Sequence, residues 1–216
     1  MGTFSILVVI VIAVSATGIH GKPCIYAAYD GTYTLRVDYK KRVESGEYIE
    51  DSWDWKKVST ITTSSKVVKR DAEKERFQEV QSNGDATIVQ KDSDGKFQTY
   101  LITKSDGVCK IKPGGWEATK DALSFPSVAA QKRSRTKTEN GKKITMFQEA
   151  EYDLNGDYVD TWVTVIDRAT DSHLPVSHEI YRKPPSEEEW EDSSTTTTTY
   201  TSVEQDWMDV PNNCEA

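Results

Sequence analysis

The sequence predicts a mostly β chain of curved antiparallel sheet with one or two short helices, on three observations. Threonine is used 23 times in 216 residues, and β-branched side chains fit a pleated surface better than a helix. Asn-Gly or Asp-Gly pairs occur at 30–31, 83–84, 94–95, 106–107, 140–141 and 155–156, and such pairs supply the positive φ that tight hairpins need. Between these pairs apolar and polar residues alternate, which is the period of a half-buried strand.

Taken from the start, Ile6 to Val14 is an unbroken apolar run, followed by Ala16-Thr17-Gly18. The run is too short to span a bilayer and ends in a small-x-small cleavage pattern. Residues 1–18 therefore predict a secretory signal, and residues 19–216 a single exported domain. No later window approaches the length of a membrane helix. Residues 76 to 112 carry three turn pairs spaced 11 to 12 apart and predict an antiparallel meander. Two-residue turns would group Val80, Thr87, Val89, Tyr100, Ile102 and Ile111 on one face, with Phe77, Ile88, Phe97 and Leu101 on the other. After Gly114-Gly115, residues 116 to 123 predict two helical turns. Lys132, Arg133, Arg135, Lys137, Lys142 and Lys143 form a basic stretch. It suits either anionic lipid headgroups or, more simply, a charged edge strand that resists pairing with other chains.

Asn155-Gly156, read as a two-residue turn, predicts a hairpin over residues 144 to 166. Leu154 then opposes Asp157, Tyr152 opposes Val159, and Met146 opposes Val165. One face collects Ile144, Met146, Ala150, Tyr152, Val159, Val163 and Val165. Thr195 to Thr199 predict a final strand, or a site for O-glycans.

Composition narrows the function. A net charge of −8 argues against nucleic acid as a partner. Hydrophobic content of 36% is lean, but six tryptophans argue against disorder. No nucleophile–base constellation and no phosphate-binding glycine loop is visible, so an enzyme is not expected. His173 and His178, five apart on a strand, point to opposite faces and make a poor metal pair. Asp92-Ser93-Asp94-Gly95 and Asp153-Leu154-Asn155-Gly156-Asp157 loosely match calcium loops without the full ligand series. No cofactor is expected, with calcium as the single candidate. Three cysteines, Cys24, Cys109 and Cys214, allow one bridge in an oxidising compartment. The third is left free or bonds a second copy of the chain.

Three segments carry a family resemblance: Asp94-Gly95-Lys96-Phe97 through Asp106-Gly107-Val108-Cys109, Asp160-Thr161-Trp162 through Leu174-Pro175-Val176, and Trp207-Met208-Asp209-Val210-Pro211-Asn212-Asn213-Cys214. Together, over residues 75 to 214, they resemble the ependymin-related and metazoan LolA-like secreted proteins. The chain departs from that pattern after Cys24 and at Ser172-His173, where the family often has a cysteine. The resemblance implies two antiparallel sheets or one strongly curved, LolA-like half-barrel, with a large apolar cavity for lipid-like molecules, and an association with calcium. It also implies a Cys109–Cys214 bridge anchoring the tail, with Cys24 free or joining a homodimer. A Cys24–Cys214 bridge is the alternative.

Two readings follow. One is a secreted, non-enzymatic carrier of a hydrophobic small molecule or lipid, whose wall is Ile144, Met146, Tyr152, Val159, Val163 and Val165, with Tyr100 and Ile102 from the meander. The other is an adhesion or matrix module that displays aromatics such as Trp53, Trp55 and Trp190.

Overall fold

The computed structural model describes residues 24–25, 31–51, 54–123, 128–129, 134–167, 173–183 and 193–214. The expected signal segment, Lys132, Arg133, Trp53 and Trp190 lie outside the described residues, as does the side chain of Trp55.

The fold is mostly β and antiparallel, as the sequence predicts. A two-stranded sheet pairs β1 (Cys24–Ile25) with β8 (Val128–Ala129). The main sheet holds β2 (Tyr33–Ile49), β3 (Asp54–Asp71), β4 (Arg76–Gln81), β5 (Ala86–Lys91), β6 (Phe97–Thr103), β7 (Val108–Pro113), β9 (Ser134–Glu139), β10 (Lys142–Tyr152), β11 (Tyr158–Asp167), β12 (His173–Lys183) and β13 (Ser193–Ser202). Its order is β7-β6-β5-β4-β3-β2-β13-β12-β11-β10-β9, open at both ends. The expected helix at 116 to 123 is a short 3₁₀ helix, Glu117–Asp121. The basic stretch supplies the edge strand, with Arg135 and Lys137 on β9. The threonine run forms β13, which lies between β12 and β2 inside the sheet.

Alternation and pairing define two faces. The inner face carries Tyr33, Leu35, Val37, Val68, Phe77, Val89 and Tyr200, which form one buried core with Leu123 and Leu174. The segment around the 3₁₀ helix covers it. Trp116 stacks on Phe97 at 5.4 Å, and the buried Arg70 guanidinium lies 4.5 Å from the Trp116 ring. Arg70 also donates to Thr119 Oγ1 and to the Gly31 carbonyl. Buried cations need such partners, because the lost hydration must be replaced. The backbone allows this cover through Gly115 (φ +107), where a Cβ would collide with the Thr99 hydroxyl.

Five of the six turn pairs mark hairpins, though not always their loop lengths; Asp30 lies outside the described residues, and β1 pairs with β8 and not with β2. Asn140-Gly141 is a two-residue turn, both residues having positive φ. Around Asn83-Gly84, Asp94-Gly95 and Asn155-Gly156 the loops have three residues: in each, the residue before the loop donates its N–H to the residue after it, as Asp153 does to Asp157 at 2.9 Å. Each odd loop moves the register by one residue, and a one-residue slip exchanges faces.

Consequently the 144–166 register is corrected. Met146 opposes Thr164, Phe147 opposes Val163, Thr145 opposes Val165, and Tyr152 opposes Tyr158. Ile144, Met146 and Tyr152 share the outer face, whereas Val159, Val163 and Val165 lie on the inner one. In the meander two slips cancel. Val80, Tyr100, Ile102 and Ile111 do share the outer face, as do Phe77, Phe97 and Leu101 the inner, but Thr87 and Val89 exchange places with Ile88.

The faces predict unequal tolerance of charge. Val163 is 0% exposed, between Phe147 and His178, while Met146 is half-buried on the outer face. Val163→Asp should cost several kcal/mol or prevent folding, and Met146→Asp should cost under about 1 kcal/mol. Urea denaturation of both variants tests this; equal losses would contradict the two-face assignment.

Candidate functional site

The expected binding residues divide among three places. Val163 and Val165 are fully buried, so they are core and line no open space. Val159 lies on the same inner face, opposite Glu151 and Arg182. Tyr100 and Ile102 belong to a second core with Ile88, Cys109 and Ile111. That core is covered by the C-terminal tail, through Met208, Val210 and Cys214. Ile144 and Met146 alone line a groove, of about 450 Å³, completed by Arg135, Thr136, Lys137 and Thr164. Tyr152 stands further along the outer face, 72% exposed, with its ring 5.7 Å from that of Tyr158, which in turn lies 6.4 Å from Tyr181.

The tail latch was not visible from composition. Gln78 is fully buried, and its side-chain amide acts as a short length of backbone. Its Nε2 donates to the Asp206 carbonyl at 2.9 Å and its Oε1 accepts from the Met208 N–H at 2.8 Å. Arg76 Nη2 donates to the Met208 carbonyl, and Lys69 to the Gln205 carbonyl. The Trp207 ring receives both cations, Lys69 Nζ at 4.6 Å and Arg76 Cζ at 4.7 Å from its centroid. A Cys109–Cys214 disulfide locks the end, as the family resemblance implies. The one sequence signal for the latch was the aromatic-to-cysteine tail itself. The polar residues Lys69, Arg76 and Gln78 carry no signal of it in the sequence.

The two aspartate loops use their carboxylates on their own backbones. Asp92 Oδ1 accepts from the N–H groups of Asp94 and Lys96, and its Oδ2 from Gln98 Nε2. The Gln98 amide, with these backbone donors, holds the Asp92 carboxyl below the usual range. Asp153 Oδ1 likewise accepts from Asn155 and Asp157. Among the described residues no group of three or more His, Cys, Asp or Glu side chains is placed to hold a metal.

A larger trough of about 670 Å³ crosses β2, β3 and β13 on the outer face. Hydroxyls of Thr63, Ser65 and Thr199 and the Arg36–Asp38 ion pair (2.9 Å) line it. Its hydroxyls and charges make it more polar than the Ile144–Met146 groove. On the inner face, Tyr200 Oη and His178 Nδ1 form a partly buried hydrogen-bonded pair at 3.2 Å. Burial pushes His178 down to about 4 and Tyr200 up to about 12.

No family model matches the chain, and no curated protein matches its sequence. Among the described residues no helix is long and apolar enough to cross a membrane.

Two outcomes follow from this geometry. The disulfide closes a sequence separation of 105, and removing it with Cys214→Ser should lower stability by up to about 4–5 kcal/mol, read by denaturant titration. The second concerns acid. In the unfolded chain His178 takes up a proton near its ordinary value of 6.5, and in the folded chain only near 4. Its neutral form is therefore favoured by folding, and its contribution is intact above pH 6.5 and lost progressively as pH falls toward 4. His178→Gln should narrow the stability difference between pH 7.5 and pH 4.5; an unchanged difference would show that other groups carry the acid response.

Proposed function

We propose that the chain is a secreted, non-enzymatic carrier of a hydrophobic ligand, bound in the outer-face groove floored by Ile144 and Met146. The observation that carries this reading is the groove itself. Two half-buried apolar side chains line about 450 Å³ of open space beside an edge strand. That volume lies within the range of small-molecule sites, and such sites are mostly apolar with few polar groups. Methionine suits a floor that must fit ligands of varied shape, because its unbranched thioether adapts. Export is supported by the Ile6 to Val14 run and by the disulfide, a bond that persists outside the reducing cytosol. The short motifs shared with ependymin-related and LolA-like proteins point the same way. A calcium requirement and a Cys24-linked dimer stay part of the proposal as properties that resemblance implies.

A second reading, an adhesion or matrix module, is favoured by the aromatic row Tyr152, Tyr158 and Tyr181, next to the fully exposed Leu154. Tyr152 is exposed and Tyr158 and Tyr181 half-buried, and surface aromatics are typical anchors in protein interfaces.

The carrier reading is tested with Nile red, a neutral apolar dye. The mature protein should bind it saturably with a blue-shifted emission. Met146→Asp should weaken binding at least tenfold without loss of fold, whereas Tyr152→Ser should leave it unchanged. Absence of saturable binding, or loss on Tyr152→Ser alone, would favour the adhesion module.

A further inference from the structure

We infer that the groove selects a single-chain amphiphile with an anionic head, a carboxylate or phosphate, through Arg135 and Lys137. The inference rests on the carrier reading and adds the chemistry of the ligand's polar end.

Register places the cations beside the apolar floor. Arg135 is the cross-strand partner of Met146, and Lys137 that of Ile144. On a shared face, directly opposed residues have their Cβ atoms about 5 Å apart. Each apolar side chain of the floor thus has one cation as its immediate neighbour. On the other side Met146 meets Thr164, whose side chain is uncharged. The groove therefore has a basic rim, an apolar floor and a neutral rim, which matches one acyl chain lying on the floor with its head turned toward β9.

The cations are available for such a head. Arg135 makes no ion pair with any described residue, and its guanidinium has the fork that carboxylate and phosphate accept. Lys137 pairs with Glu139 at 2.9 Å, but both are well exposed, at 69% and 53%. Exposed pairs of this kind contribute little, so the ammonium can change partners at small cost. Among the described residues no strand pairs with the outer side of β9, which is an edge of the sheet. A net charge of −8 repels anions at long range. Selection is therefore a local effect of these two side chains and not of the overall field.

The floor is two residues long across one strand pair, which fits one chain rather than two. A monomeric amphiphile is thus the occupant, and a bilayer surface is not.

Displacement of Nile red tests this on the full mature chain, with palmitate against its methyl ester as probes. The acid should displace the dye at a concentration on the order of tenfold lower than the ester. Raising salt should shrink that preference. Arg135→Gln with Lys137→Gln should abolish it, bringing the acid and the ester to displacement at equal concentrations in the same variant. If acid and ester compete equally in the native protein, the anionic-head inference is overturned and the carrier reading stands. If Nile red itself does not bind, both fall. Sedimentation with phosphatidylserine vesicles at matched lipid, with no displacement by free palmitate, would also overturn it by showing a surface-binding role.

Discussion

The sheet depends on one ladder, that between β2 and β13. It runs from Ser193 opposite Glu44 to Ser202 opposite Leu35. Every other neighbouring pair in the main sheet is consecutive in the chain, a hairpin or a simple return. Only this ladder joins the first half, β2 to β7, to the second, β9 to β13. It also unites the inner core, since Leu35, Val37 and Tyr200 come from these two strands and meet Val68 and Phe77 on one side and Leu174 on the other. Loop-closure entropy must be met before such a distant pairing gains anything. Hairpins therefore have every reason to form first, and the β2–β13 seam to close last.

Much of this was legible in the residues. The turn pairs located the hairpins of the meander and of residues 144 to 166, because the demand for positive φ is local and few residues meet it. What could not be read was loop length. At two of the three such loops an aspartate stands two positions before the Asx-Gly pair, Asp92 and Asp153, and its carboxylate caps backbone N–H groups two and four residues on, while the third has Gln81 there. That capping stabilises a three-residue loop with glycine in the left-handed region, such as Gly156 at φ +84. The same aspartates gave the impression of incomplete calcium loops. At Asp106-Gly107 the loop has four residues, an even change, and the faces of Ile102 and Ile111 were unaffected.

The candidate site was legible only in part, for the same reason. Ile144 and Met146 were identified by their apolar character, yet the one-residue slip assigned them Val163 and Val165 as companions. Once the register is known, their true companions are the cations of β9. The basic stretch and the apolar hairpin, separate features in the sequence, are one surface in the fold. The tail latch shows the opposite limit. Gln78 has no periodic signature, and its role follows from where residues 206 and 208 happen to lie.

All eleven strands of the main sheet are complete by Ser202, yet the meander's outer core is closed only by Met208, Val210 and Cys214. The last dozen residues therefore matter out of proportion to their number. A nascent chain terminated just after the final strand would retain every hydrogen-bonded ladder. It would leave Ile88 and Tyr100 bare and Cys109 without its partner. An apolar patch beside an unmatched thiol invites aggregation and mispaired disulfides, so premature stops near the end should reduce the yield of monomer more than they reduce strand pairing.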